Sequence, residues 1–312
     1  MDERFQNNRP IDEQQETASR GAAIAFLSTV LLLPLAIFLA LKPATARAAI
    51  EQISRIMHFD GDPLPALAAK FAGNVHGSAT ISAPQREAEI LLEKAIHHQE
   101  GAVEELSRER NGWRGQLKLD PKMTGLLNAA LNSDDLRVRA AGIELELAAY
   151  NLPETPASAE SLIRRAKNEP AARPWALWML GAIGGRGVEP ERTLETLLRY
   201  SHDPDEKTRY WAAEGLSLLG TDATIEPLLD LFGKDPSMDV RKGAGCGLAQ
   251  CGMLTREQRR KAVPTLLSYA EDPAFDARTR PWVYESLREI TGASVANTPD
   301  AWREWWAENS HR

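Results

Sequence analysis

Five times the chain repeats one short pattern: a small or β-branched residue, an arginine, two spacers, then a small residue. The copies begin at Val138-Arg139, Ala172-Arg173, Thr208-Arg209, Val240-Arg241 and Thr279-Arg280. Their starts lie 34, 36, 32 and 39 residues apart. A near-constant period in this range marks stacked supersecondary units. Each is too small to bury its own apolar face and closes its core only against a neighbour.

Each unit from Pro121 onward reads as two helices. First helices are expected at 121–131, 157–168, 190–201, 222–233 and 255–271, and second helices at 134–150, 171–183, 205–219, 237–251 and 276–290. Asp-Pro pairs at 203–204, 235–236 and 272–273 stop one helix and start the next. Gly184-Gly185, Gly220 and Gly252 stand where second helices end, the place of a left-handed stop. No segment alternates with period two for long enough to make a strand. The fold class is therefore all-α, an α-solenoid of helical hairpins at 121–292. Residues 85–120 form a helical N-terminal cap or degenerate repeat, with Gly101 a candidate break, and 293–312 form a closing helix rich in tryptophan.

The N-terminal region is of another kind. A polar tail, 1–20, precedes Gly21–Leu41, a run without a charge, interrupted only by Ser28, Thr29 and Pro34. As a helix at ~1.5 Å per residue it spans roughly the ~30 Å hydrocarbon core of a bilayer, so it reads as one transmembrane helix. A cleaved signal is the rival reading, since Ala44-Thr45-Ala46 resembles a cleavage site. The run is longer than a signal core, however, and Asp2, Glu3, Asp12, Glu13 and Glu16 precede it. Flanking arginines and lysines balance across the span. Arg20 at its edge and the short tail tilt the orientation toward a cytoplasmic N-terminus, with the repeats on the periplasmic or outer side. A juxtamembrane helix and a linker rich in Gly, Pro, Ala and Ser fill 42–84.

The unit from Asp203-Pro204 through Thr208-Arg209, Ala212, Leu216 and Gly220 resembles the HEAT repeat, and Asp235-Pro236, Val240-Arg241, Ala244, Leu248 and Gly252 repeat it position by position. The chain looks like bacterial membrane-anchored HEAT-repeat proteins. That resemblance implies a stacked array used as a binding surface. Thr298 to Trp306 resembles the closing helix of some such arrays, with Thr298 or Asp300 as its cap and Trp302, Trp305 and Trp306 covering the last repeat.

Arg139, Arg173, Arg209, Arg241 and Arg280 are expected to form a ladder along the stack that fixes repeat spacing, the alternative being a row of arginines that faces a ligand. Their partners would come from Asp135, Glu169, Asp205 and Asp276, which stand three residues before a copy of the pattern. The fourth pattern position is Trp175, Trp211 and Trp282 in three copies. Equivalent positions on parallel helices fall in line, so these rings are either packing between repeats or an aromatic stripe on the concave surface, the residue type that anchors protein recognition.

No catalytic, cofactor or metal site is legible. Among the histidines there is no HExxH pair, and none of the repeated His-Glu pairs of the HEAT-like diiron hydroxylases. Asp60-Gly61-Asp62 lacks the later ligands of a calcium loop. Gly243, Gly245 and Gly247 follow no strand and read as close helix contacts rather than a phosphate loop. Cys246 and Cys251 fall about 140° apart on an ideal helix and are expected to stay unpaired as small packing residues; such thiols fit a reducing compartment but also survive outside the cytoplasm. The formal charge of −7 disfavours nucleic acid. The expectation is a non-catalytic, membrane-anchored scaffold of the bacterial inner membrane that needs no cofactor and takes a protein or peptide partner on its concave surface. The alternative implied by the same resemblance is an enzyme or cofactor-handling protein such as the bilin lyases.

Overall fold

The computed structural model describes residues 82–311. The tail at 1–20, the membrane run at 21–41 and the linker as far as 81 lie outside the described residues. Among the described residues no helix is long and apolar enough to cross a membrane.

The described chain is helical throughout, without strands. Two helices precede the repeats, α1 (Ala83–Ile96) and α2 (Ala102–Glu109). Three hairpins come next: α3 (Pro121–Leu131) with α4 (Leu136–Ala149), α5 (Pro156–Asn168) with α6 (Arg173–Gly184), and α7 (Pro190–Tyr200) with α8 (Glu206–Leu219). The fourth pairs α9 (Ile225–Lys234) with α10 (Met238–Cys246), which continues as a π turn, Gly247–Cys251. The fifth has a short α11 (Arg256–Arg260) before α12 (Val263–Glu271) and α13 (Arg280–Thr291), and α14 (Pro299–Asn309) closes the chain.

The helix starts follow from local chemistry. Ser82, Asp120, Thr155, Asp205 and Ser237 accept from backbone N–H groups in the first turns of α1, α3, α5, α8 and α10. Thr255 and Gln258 form a reciprocal capping box on α11. The ends are less uniform than expected. Gly220 is left-handed at φ 59°, and so is Gly292 at φ 71°, but Gly185 has φ −64° and Gly252 has φ −91°. Gly252 instead leaves the π turn in an extended conformation. At α14, Thr298 makes no side-chain cap and Asp300 turns to Arg303, 2.9 Å away.

Second helices stack in chain order, α6 on α8, α8 on α10 and α10 on α13, each also packed on the first helix of its own unit. The tightest crossing is between α6 and α8. A Cβ on Gly181 would stand 2.6 Å from the Gly215 Cα, so only glycine allows this approach. The pattern's small residues Ala176, Ala212 and Ala244 are fully buried. Every residue of α6 from Pro174 to Gly184 is buried, which suits a helix apolar on all sides.

Two apolar clusters meet in α4. Val138, Ala141, Leu145 and Ala148 belong to the core shared with α1 and α3, whereas Ile143 and Leu147 face the core that runs on to Trp302. At the far end Trp302 is fully buried, and Trp305 and Trp306 pack half-buried against the same core. Arg260 lies 5.0 Å over the Trp306 ring and donates to the Asn309 carbonyl.

The cysteine expectation is corrected: Cys246 and Cys251 form a disulfide. The spacing argument assumed 3.6 residues per turn. The wider π turn carries residue i+5 back over residue i, leaving the two Cα atoms 5.2 Å apart.

Candidate interaction surface

All five pattern arginines share one task. Each donates to a carbonyl near the C-terminal end of its own first helix: Arg139 to Ser133, Arg173 to Ala166, Arg209 to Asp203, Arg241 to Asp235 and Arg280 to Ala270. Those carbonyls lack helical partners, so a guanidinium there satisfies them and complements the helix dipole. The side chain welds first helix to second within a unit, a role the sequence did not reveal.

Three arginines also form rungs to the next unit. Arg209 grips Asp235 with Nε 2.8 Å from one carboxylate oxygen and Nη2 3.0 Å from the other. Arg241 Nη1 lies 2.8 Å from Asp276, and Arg173 reaches Asp203 at 3.7 Å. Only Asp276 belongs to the acids expected as partners; Asp203 and Asp235 are the aspartates of the Asp-Pro turns. Asp205 caps α8 instead, and its hydrogen bonds from the Thr208 hydroxyl and backbone hold its carboxyl below the usual range. Asp135 caps α4, and Glu169 pairs with Arg165 one turn back. The Asp235 carboxylate raises the Arg209 pKa.

Arg139 and Arg280 form no such rung. Arg280 spends its guanidinium on its own turn, donating to Asp272 and Phe275 carbonyls. Arg139, 3% exposed, donates to the Gly252 carbonyl 113 positions away. Arg259 converges on the same end of the π turn, donating to Ala249, Gln250 and Gly252 carbonyls. Burial, with the Arg139 charge nearby, lowers Arg259 to about 10.

The tryptophans divide. Trp175 is 6% exposed, edge-on to Tyr150 and covered by Arg165, and Trp211 is 7% exposed against Tyr210. Both belong to the packed interior, because a large ring beside a small residue fills the seam between second helices. Trp282 alone is half-buried. It borders a cleft of about 90 Å³ between the end of α10 and α13, with Lys242, Cys246 and Gln250 on one helix and Glu285, Ser286 and Glu289 on the other. Trp282, Glu285 and Glu289 recur at three and four residues along one face of α13, so the spacing was available in the sequence. Gln250 lies within the π turn, which the sequence did not reveal.

A larger hollow, about 420 Å³, lies by the α1–α2 connection. Its side chains His98, Glu104 and Arg137 are exposed, and the Asp135–His98 separation is 3.9 Å. Among the described residues no three His, Cys, Asp or Glu side chains are placed to hold a metal.

Residues 160–249 match the family model for HEAT repeats. No curated protein matches the chain. Solved structures similar to it include an engineered protein at 15% identity and TM-score 0.33, covering 66% of this chain and 97% of its own. A designed armadillo repeat protein in complex with the peptide (KR)4 has 14% identity and TM-score 0.32, covering 67% and 100%. Computationally designed armadillo repeat proteins for modular peptide recognition have 14% identity and TM-score 0.30, covering 67% and 99%. The matched span runs from α5 to the π turn and contains the two units whose arginines make the shortest rungs, so this part of the chain is similar to HEAT repeats.

Proposed function

We propose that the chain is a non-catalytic scaffold, held in a membrane by residues 21–41, that docks a protein or peptide partner on the exposed side of its later second helices. The observation that carries this reading is the cleft at Trp282. It combines a half-buried indole with Lys242, Gln250, Glu285 and Glu289 at its rim, an aromatic anchor within a polar surround. The pattern arginines and the other two pattern tryptophans are occupied by carbonyls, aspartates and core packing, so the partner-facing role falls to this cleft. The uncharged run Gly21–Leu41 supports the anchor. The disulfide supports placing the repeats on the periplasmic or outer side, where such bonds persist.

A photo-crosslinking residue placed at Glu285, compared with one at the exposed Ser268 on α12, tests the docking role in intact cells. The expected result is a discrete adduct from position 285 alone. Trp282→Ala should weaken that adduct about 10-fold, as loss of an aromatic anchor does, without lowering the melting temperature. Equal adducts from both positions would refute the proposal. Retention of the chain in membranes through alkaline carbonate washing, and its release on deletion of 21–41, tests the anchor.

A further inference from the structure

The π turn at Gly247–Cys251 is the one break in helical period within a second helix among the described residues, and a disulfide closes it. Helices tolerate π turns where something outside the hydrogen-bond ladder compensates them. Two devices do so here. Arg259 and Arg139 take the carbonyls at its end, and the Cys246–Cys251 bond ties residue i to i+5. In an α-helix those two residues lie roughly 140° apart and cannot bond. The bond therefore requires the π geometry, and in turn helps to hold it.

Both cysteines are only half-buried, and Cys246 borders the cleft. We propose that Cys246 and Cys251 are a reversible dithiol–disulfide site that sets the π turn and with it one wall of the cleft. The chemistry is thiol–disulfide exchange with a small dithiol. Its thiolate attacks the Cys246 sulfur, the sulfur–sulfur bond breaks, and Cys251 leaves as a thiolate that takes up a proton. The second thiol of the reductant then displaces Cys246, which is protonated in turn. Two electrons and two protons enter the protein, and the reductant departs as a cyclic disulfide. Re-oxidation runs the exchange backward with a low-molecular-weight disulfide or a disulfide oxidoreductase. Reduction frees the segment to regain the α period. Because Met253 N–H is held by the Ser217 carbonyl, the spare residue has to be expelled at Gly252, where Arg139 and Arg259 now bind.

The consequence for the cleft rests on the docking role proposed above, whereas the thiol site does not. The test uses the full chain equilibrated with oxidised glutathione, then counts thiols after denaturation and measures hydrogen exchange at 247–253 before and after dithiothreitol. The expected result is no free thiol before reduction and two after it, with exchange at those amides about 10-fold faster. The Cys246→Ser/Cys251→Ser variant should exchange like the reduced protein and ignore dithiothreitol. Two free thiols after glutathione treatment overturn the proposal, and so does reduction that leaves exchange unchanged. Both readouts are made on the natural chain and stand even if the double variant fails to fold. If exchange responds to reduction while the Glu285 adduct does not, the thiol site stands and its control of docking falls.

Discussion

Asp235→Ala tests the claim that the rungs between units are structural. The Asp235 side chain is 2% exposed and its partner Arg209 11% exposed. The carboxylate accepts both arginine contacts and also the Ser237 N–H at 2.8 Å, at the start of α10. Alanine removes all three hydrogen bonds at once. Breaking a buried pair by deleting one partner costs about 3–5 kcal/mol, since the remaining charge stays desolvated. Arg209 keeps the carbonyls of Asp203 and Pro204 at 3.0 and 3.1 Å, which puts the expected loss near the lower end, about 3 kcal/mol. Replacing both residues, Arg209→Met with Asp235→Leu, should recover most of that loss, giving a coupling of at least about 1.5 kcal/mol in a double-mutant cycle. Repeat arrays do not unfold as one unit. Local opening free energies from hydrogen exchange in α8 and α10 are therefore the right assay, with the urea midpoint as a check. A loss below about 1 kcal/mol, or coupling near zero, would reduce the rung to an ordinary surface pair and refute the reasoning.

Gly181→Ala should destabilise the α6–α8 crossing by about 1–3 kcal/mol despite alanine's better helix propensity. Gly125→Ala on α3, where a Cβ meets nothing within 4 Å, should instead raise the melting temperature. Trp211→Ala should cost about 3–5 kcal/mol, as emptying a buried ring site does; partner loss without a fall in melting temperature would restore it to the docking surface. The Asp205 pKa is lowered on folding, so its contribution is present above the ordinary carboxylate value of about 4 and is lost as pH falls through the lower folded value. A series of melting temperatures from neutral to acid pH should steepen there, and Asp205→Asn should flatten that part of the profile.

The repeat was legible because its signals are local. Cap residues, Asp-Pro turns and the arginine period each act within a few positions, and they placed α3, α5, α6 and α8 to within about two residues. The ladder was legible in kind but not in partner. The sequence shows acids in every turn, and only the stacking distance selects Asp203 and Asp235 over Asp205. Helical projection misled at one place, where Cys246 and Cys251 were set apart by assuming an unbroken α period. The glycines around them, Gly245 against the Phe232 ring and Gly247 against Ser217, gave packing but no hint of the widened turn. Trp175, Trp211 and Trp282 share a pattern position yet differ in exposure, because exposure depends on the neighbouring units in the stack and not on the unit itself.

That dependence limits where the proposed docking surface can lie. An open stack of hairpins would present all five second helices alike, each touching only its neighbours. Here α4 spends one apolar face on α1 and α3 and the other on the main core, and Arg139 ties its start to Gly252 at the end of unit four. The whole of α6 beyond its arginine is buried. The first two second helices thus act as walls, and Trp302 closes the other end. The surface left over is the outer side of α8, α10 and α13, where Lys207 and Gly243 are half-buried and Lys242, Gln250, Glu285 and Glu289 are exposed. The Trp282 cleft lies within that strip, with the disulfide-bonded turn as one side. A chain whose period suggests a uniform surface therefore offers a short one, and its position is set by how the ends of the stack are closed.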